Sequence, residues 1–245
     1  MIPVIRRIKI QDYPKSMKKV ALAETSIHLV RGQTPPQQPP GLLAPELWDF
    51  FAKLGSMRRF EKRSYVFQAD EKMQYVSLVV SGLVALIKNE TILDIVEPGQ
   101  SIAGALLPGS DSHSTYPITA RCLNACEVLQ IDLSKHRATL IESQSAQIFF
   151  ARQMQQRMRF IQKSRGLQSD STSARIAFFL LSKKHLFENG FLTRKTIAQA
   201  CNTTTESVIR QLSTWEKSNV LKQFEKKTSV IDSTALENLC AFKNL

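Results

Sequence analysis

Cysteine is scarce in this chain. There are four in 245 residues, Cys122, Cys126, Cys201 and Cys240, and none forms a Cys-x-x-Cys pair. Cys122 and Cys126 are spaced by four, and on a strand their side chains would share one face. No histidine stands at a ligand-like spacing from them, which argues against structural zinc. Long apolar runs are also missing. The longest, residues 76–80 and 176–181, fall far short of the roughly 20 residues a spanning helix needs, so no membrane partner is expected. Arg6, Arg7 and Lys9 are not followed by a continuous apolar segment, so no secretory signal is read. With so few cysteines, the expected location is a reducing cytoplasm. Gly-x-Ser-x-Gly, His-Glu-x-x-His, a P-loop and paired catalytic carboxylates are all absent, and an enzyme is not expected. Acidic residues are outnumbered, 21 Asp and Glu against 33 Lys and Arg, for a net charge of +12. A polyanion, either nucleic acid or an acidic membrane face, suits that balance; a basic protein with no such partner is the bland alternative.

Hydrophobic residues make up 43% of the chain, which excludes a disordered polymer. Residues 1–44 differ from the rest. Basic residues cluster from Arg6 to Lys19, and Gly32-Gln-Thr-Pro-Pro-Gln-Gln-Pro-Pro-Gly41 is compatible with neither helix nor central strand. This segment reads as an extended linker or surface arm, or as a tail with no separate function. From Pro45 to Ile131, short apolar runs alternate with turn residues. Tyr65-Val-Phe, Tyr75-Val-Ser-Leu-Val-Val, Leu83-Val-Ala-Leu-Ile and Ile92-Leu-Asp-Ile-Val are strand-like. Ser81-Gly82, Lys88-Asn-Glu-Thr91, Glu97-Pro-Gly99 and Pro108-Gly109 punctuate them, predicting an antiparallel all-β roll or sandwich.

Beyond Ser134 the texture changes. No Gly or Pro occurs from Ser134 to Arg165, and the stretch predicts one long helix. Ala151, Met154, Met158 and Ile161 are spaced three, four and three, a heptad-like seam. Nothing obvious in the chain matches it, so it either pairs with its own copy or packs on the β domain. Gly166 to Asp170 reads as a hinge. Ser171 or Ser173 then caps a helix over residues 174–185, with Ile176, Phe179 and Leu180 on one face.

The segment richest in information is Leu192-Thr-Arg-Lys-Thr-Ile-Ala-Gln-Ala-Cys-Asn-Thr-Thr-Thr-Glu-Ser-Val-Ile-Arg-Gln-Leu-Ser-Thr-Trp-Glu-Lys217. Thr193 can cap a short helix with Ile197 and Ala198 inward, and Asn202 tolerates a left-handed turn. Thr203-x-x-Glu206 has capping-box spacing and predicts the start of a second helix, whose buried face is Val208, Leu212 and Trp215. Thr204, Thr205, Glu206, Ser207, Ile209 and Arg210 then lie near its N-terminal part, where a helix-turn-helix meets base edges. Arg pairs with guanine and Glu accepts from cytosine. Glu206 and Arg210 are four apart and can brace each other, so an ordinary exposed ion pair is the competing reading. Val220-Leu-Lys-Gln-Phe, Glu225-Lys-Lys-Thr228 and Ser229-Val-Ile read as strand, basic turn and strand. That is a wing with Lys226 and Lys227 at its tip, suited to phosphate.

The run from Leu192 to Lys217 resembles the helix-turn-helix of the cyclic-AMP receptor protein/FNR superfamily. The recognition helix there carries Glu-Thr/Ser-x-x-Arg, and Glu206 and Arg210 fall on those positions. An Arg used for base contact in the cyclic-AMP receptor protein is Thr205 here, so the half-site should be similar but not identical. Gln74-Tyr-Val-Ser-Leu-Val-Val-Ser-Gly-Leu-Val-Ala-Leu-Ile-Lys88 is similar to the central hairpin of the family's β-roll, Glu97-Pro-Gly-Gln100 to the next turn, and Ala125-Cys-Glu-Val-Leu-Gln-Ile-Asp132 to the strand before the dimer helix. In that setting Cys126 is a packed core thiol. The resemblance covers roughly residues 48–240 and implies an α+β chain in four parts. Residues 1–44 are a basic, Pro-rich extension and 45–133 an N-terminal antiparallel β-roll of the jelly-roll, cyclic-nucleotide-binding type. Residues 134–166 are a dimerisation helix, and 167–245 a C-terminal winged helix-turn-helix. Ala151, Met154, Met158 and Ile161 would dimerise the chain. Thr193, Thr204, Thr205, Glu206, Ser207, Ile209, Arg210, Lys226 and Lys227 would contact DNA.

The departures bear on the effector. Cyclic-AMP binders of the family hold the nucleotide with a Gly-Glu pair and an Arg-Ser pair. Here the Glu position is Gly104 and the Arg and Ser positions are Tyr116 and Pro117, so cyclic AMP is not expected in the usual mode. No cysteine precedes Cys122, which excludes the FNR-type iron-sulfur sensor. His28, His113, His136 and His185 show no haem-like arrangement, no cofactor is evident, and Cys122 with Cys126 as a redox pair is a minor alternative. The expected partners are double-stranded DNA, a second copy of the chain and RNA polymerase. A different class also fits the charge: a ligand- or partner-binding module whose basic surface contacts RNA or membrane non-specifically.

Overall fold

The computed structural model describes residues 28–29, 43–109, 114–167, 170–224, 227–230 and 232–240. Lys226, His113 and the basic cluster from Arg6 to Lys19 lie outside the described residues. The chain divides into two compact units. The first comprises residues 1–84 and 96–148, the second residues 85–95 and 149–245.

The first unit is built on an antiparallel sheet in the order β1 (His28–Leu29), β2 (Gly55–Phe60), β9 (Cys126–Asp132), β4 (Tyr75–Ser81) and β7 (Ser101–Ile102). β3 (Tyr65–Phe67) and β8 (Thr119–Cys122) form an antiparallel ladder that is not part of that sheet. The central pair β4 and β9 explains the near-continuous apolar runs: Val76, Leu78, Val79, Val128, Leu129 and Ile131 are all buried. A polar pair sits among them, with Gln130 Nε2 donating to the hydroxyl of Ser77, its partner across the ladder. Helix α1 (Pro45–Leu54) covers this sheet with Trp48 and Phe51. Pro45 starts it at a position where no N–H is required. Gly82 has φ +83°, and a Cβ there would lie 2.3 Å from the Ala125 carbonyl oxygen, so this turn requires glycine.

Cys122 ends β8 and Cys126 begins β9, so the two do not share a strand face as their spacing suggests; the turn at residues 123–125 separates them. Both are buried free thiols. Cys126 Sγ donates to the Leu83 carbonyl, and hydrogen bonding to Cys126 together with burial pushes the Cys122 thiol up. Burial likewise pushes Cys201 up to about 12 and Cys240 up to about 11, the behaviour of packed core thiols.

The predicted single helix from Ser134 is two helices, α2 (Leu133–Glu142) and α3 (Gln144–Gly166). The break is at Ser143, whose backbone is extended (φ −78°, ψ 106°). Its N–H closes α2 on Thr139 O while its hydroxyl accepts from Ala146 N to cap α3. A serine offers the backbone this alternative to helix, and neither Gly nor Pro is required for it.

The second unit contains residues 85–95 of the hairpin of β5 (Val84–Lys88) and β6 (Thr91–Val96), most of α3, and the C-terminal region. Asn89 and Glu90 both have positive φ, the signature of a two-residue type I′ turn. Helix α4 (Thr172–Ser182) is capped by Ser171 and buries Ala174, Ile176, Ala177, Phe178, Phe179 and Leu180. Apolar nearly all round, it is the axle on which the other helices pack. They are α5 (Lys184–Glu188), α6 (Arg194–Ala200), α7 (Thr205–Lys217) and α8 (Ser233–Leu239), with the hairpin β10 (Leu221–Phe224) and β11 (Lys227–Val230) between α7 and α8.

Candidate nucleic-acid interface

Helix α6 begins at Thr193, whose hydroxyl oxygen accepts from Thr196 N at 3.0 Å. Ile197 and Ala198 are buried beneath it. At its end Asn202 takes φ +48° and Thr203 N–H donates back to Ala198 O at 3.0 Å, a Schellman-type closure. Asparagine serves here where glycine is more usual, because its side chain tolerates the left-handed region. That closure consumes Thr203, and α7 therefore starts one residue later than its Thr203-x-x-Glu206 spacing predicts. Thr204 is the N-cap, with its side chain accepting from Ser207 N at 3.1 Å and donating to Ser207 Oγ. Glu206 falls in the first turn, where the helix dipole favours a carboxylate.

Val208, Leu212 and Trp215 form the buried face of α7, as their spacing predicts. Glu206, Ile209 and Arg210 are exposed on the other side, with Thr205 and Ser207 half-buried beside them. Among the described residues no ion pair joins Glu206 to Arg210, so the expected mutual brace is absent and both charged groups face outward separately. Helix α7 ends as α6 does. Asn219 has φ +59°, and Val220 N–H returns to Trp215 O at 2.9 Å.

Sequence reasoning missed the side chain that fastens the turn between α6 and α7. Arg175 donates through Nε to Cys201 O at 3.0 Å and through its two terminal nitrogens to Asp170 O and Thr172 Oγ1. It thereby satisfies an orphan carbonyl at the end of α6 and places a cation at the negative end of the helix dipole. The signal available in sequence was a lone Arg inside an otherwise apolar helix.

The wing contains two paired strands, β10 and β11, and Lys227, expected in the turn, is the first residue of β11, with its backbone paired to Phe224. Glu225 and Lys226, of the same expected turn, lie outside the described residues. On α3, Ala151, Met154 and Met158 are exposed and Ile161 is half-buried; Ile148, also exposed, was not in the predicted seam although it lies three residues before Ala151.

In the first unit, the positions where the family's cyclic-AMP binders carry charge are differently filled. Tyr116 is packed in the core, its ring stacked on Phe67 at 3.7 Å, while its hydroxyl donates to Tyr75 O and accepts from Tyr75 N. Burial pushes its phenol up. Gly104 opens a short 3-10 turn, Gly104–Gly109, and Pro117 is exposed. Among the described residues no group of three or more His, Cys, Asp or Glu could hold a metal, and no helix is long and apolar enough to cross a membrane.

A capped, turn-linked pair of helices with an outward polar face, followed by a two-stranded wing, and preceded in the chain by an antiparallel roll, defines a class of transcription regulator. The cyclic nucleotide-binding domain model matches residues 57–143 and the Crp-like helix-turn-helix domain model residues 174–239. The chain belongs to the cyclic-AMP receptor protein/FNR superfamily, whose members are regulators and not enzymes. No curated protein matches it in sequence. Among solved structures it is similar to FixK2 from Bradyrhizobium japonicum, at 20% identity and TM-score 0.64, over 76% of this chain and 98% of that one. A CooA mutant from Carboxydothermus hydrogenoformans gives 17% identity and TM-score 0.66, over 87% and 98%. The c-di-GMP responsive global regulator CLP of Xanthomonas campestris gives 17% and 0.59, over 75% and 97%. At these identities the likeness is one of fold.

Proposed function

We propose that the chain is a sequence-specific DNA-binding regulator. It reads a pseudo-palindromic site as a homodimer, under an effector other than cyclic AMP bound in the usual way, or under none. The observation that carries the reading is the outward face of α7. Glu206 and Arg210 stand exposed on a helix whose opposite face is buried, and neither is tied to the other. Glu206 suits a cytosine amino group and Arg210 the N7 and O6 of guanine. Thr193, Thr204, Thr205, Ser207 and Ile209 complete the base-proximal surface, and the wing lysines Lys226 and Lys227 contribute phosphate contacts that position without specifying. Ala151, Met154, Met158 and Ile161 pair with the same residues of a second copy, which sets two α7 helices about 34 Å apart in successive major grooves. RNA polymerase is the downstream partner. The filled position at Tyr116 and the missing carboxylate at Gly104 support an effector mode different from that of the cyclic-AMP binders.

The test is selection from a randomised duplex pool by the purified full chain, run without ligand, with cyclic AMP and with c-di-GMP. A retained palindrome with half-sites one turn apart supports the reading. If it emerges without ligand, the chain reads DNA unaided. Equal retention of selected and scrambled duplexes in every arm would favour instead a basic module that meets nucleic acid non-specifically.

A further inference from the structure

We propose that Ile209 reads the 5-methyl group of one thymine in each half-site. The inference rests on the DNA-reading proposal above and assigns to it a specificity determinant. Ile209 is 52% exposed, three residues from Glu206 and adjacent to Arg210 on the outward face of α7. Single exposed aliphatic side chains are ordinary on protein surfaces, so exposure carries nothing by itself. Position and chemistry carry the argument. A β-branched side chain loses rotamer freedom in a helix, and at a solvent-facing site a polar or straight-chain residue would serve the helix better. Ile209 stands instead within the first two turns, flanked on one face by a carboxylate and a guanidinium.

The floor of the major groove presents hydrogen-bond donors and acceptors from every base pair, and one apolar feature, the thymine methyl. Glu206 and Arg210 have polar partners to seek there. Ile209 has no donor and no acceptor, so a base edge rewards it only by removing apolar surface from water, and the methyl group is the surface on offer. The neighbouring hydroxyls do not compete for that role. Thr204 and Ser207 are tied to each other at the cap, and Thr205 is half-buried in the first turn.

The experiment replaces each thymine of the selected half-site in turn by deoxyuridine, which deletes the methyl and keeps the hydrogen-bonding edge, and measures binding of the full chain by titration. One position per half-site should weaken the wild-type protein by about fourfold, the factor for one buried methyl-sized group. Ile209→Ala should bind the thymine and uridine duplexes equally, while Ile209→Val should keep most of the difference. The side chain is exposed and alanine is the better helix former, so Ile209→Ala should fold as the parent does. Specific binding with no sensitivity to uridine anywhere overturns the assignment and leaves the DNA reading intact. A uridine effect that persists in Ile209→Ala moves the methyl contact to another side chain and also overturns it. Failure of the full chain to prefer any sequence overturns both.

Discussion

Lys183 Nζ lies 3.2 Å from Asp94 Oδ1, and Arg157 Nε lies 3.1 Å from the other oxygen of the same carboxylate. All three side chains are nearly buried. The group joins the β5–β6 hairpin to α3 and to the junction of α4 and α5, all within the second unit. Lys183 also donates to Ile95 O at 3.0 Å and sits over the Phe160 ring, so two cations share one anion with help from a carbonyl and a π face. Asp94 is thus the hub. Asp94→Asn should cost about 3–5 kcal/mol, because it removes the negative charge that two nearly buried cations share. Lys183→Met should cost clearly less, because it leaves Asp94 paired with Arg157 and fills the space with apolar atoms. Urea denaturation of the two variants decides the matter; equal losses would remove Asp94 from the centre of the network.

Arg175 makes a similar point about the reader. Lysine cannot reproduce a fork that reaches Cys201 O, Asp170 O and Thr172 Oγ1 at once. Arg175→Lys should therefore destabilise the second unit by about 1–3 kcal/mol, chiefly through the part-buried Cys201 carbonyl losing its donor. The chain has two tryptophans, Trp48 in the first unit and Trp215 in the second. In a Trp48→Phe background the fluorescence of Trp215 reports that unit directly. An unchanged denaturation midpoint would show that water replaces the guanidinium without loss.

Periodicity made much of this legible. The four strand runs from Tyr65 to Val96 sit where alternation and turn residues put them, and the α7 core face was readable because three apolar residues at four and three spacing have few other uses. Helix α1 was hidden inside a segment read as all β, although Pro45, Glu46 and the Trp48/Phe51 pair are a helix start. The Ser143 break and the shift of the α7 cap to Thr204 depend on which of several adjacent hydroxyls wins a backbone N–H, a competition that sequence spacing does not resolve. The Asp94 network and the role of Arg175 were out of reach for a different reason. Each is a charge whose partners lie far away in sequence, and periodicity carries no information about them.

Asp132 caps α2, accepting from Ser134 N at 2.9 Å and from the Ser134 hydroxyl at 2.6 Å. The hydroxyl bond is the chief cause holding its carboxyl below the ordinary value. A carboxyl depressed in the folded state stabilises the fold above its unfolded value, near 4, and that contribution fades as pH falls through the folded value. Asp132→Ala should cost about 1 kcal/mol at neutral pH. Asp132→Asn keeps a good cap and should match the parent at neutral pH within a few tenths of a kcal/mol, while losing less stability than the parent below about pH 4. Urea titrations followed through Trp48 at neutral pH and at about pH 3 test both. An Asn variant as acid-sensitive as the parent would assign the acid loss to other carboxyls.

Met154 and Met158 are 40% and 38% exposed on α3, with Ala151 exposed beside them, which leaves an apolar seam open to a second copy of the chain. If they pair across a twofold axis, Met158→Glu brings two carboxylates toward each other and desolvates both. Glutamate and methionine are comparable helix formers, so α3 should persist and the stability of the isolated chain should change by no more than about 0.5 kcal/mol. The dimer dissociation constant should rise at least about tenfold, equivalent to 1.4 kcal/mol. Sedimentation velocity over a concentration series measures this without reference to DNA. Monomers at concentrations where the parent is dimeric would locate the self-association on α3. A Met158→Glu protein that sediments as the parent does would move the interface elsewhere and leave the exposed methionines without a partner of their own kind.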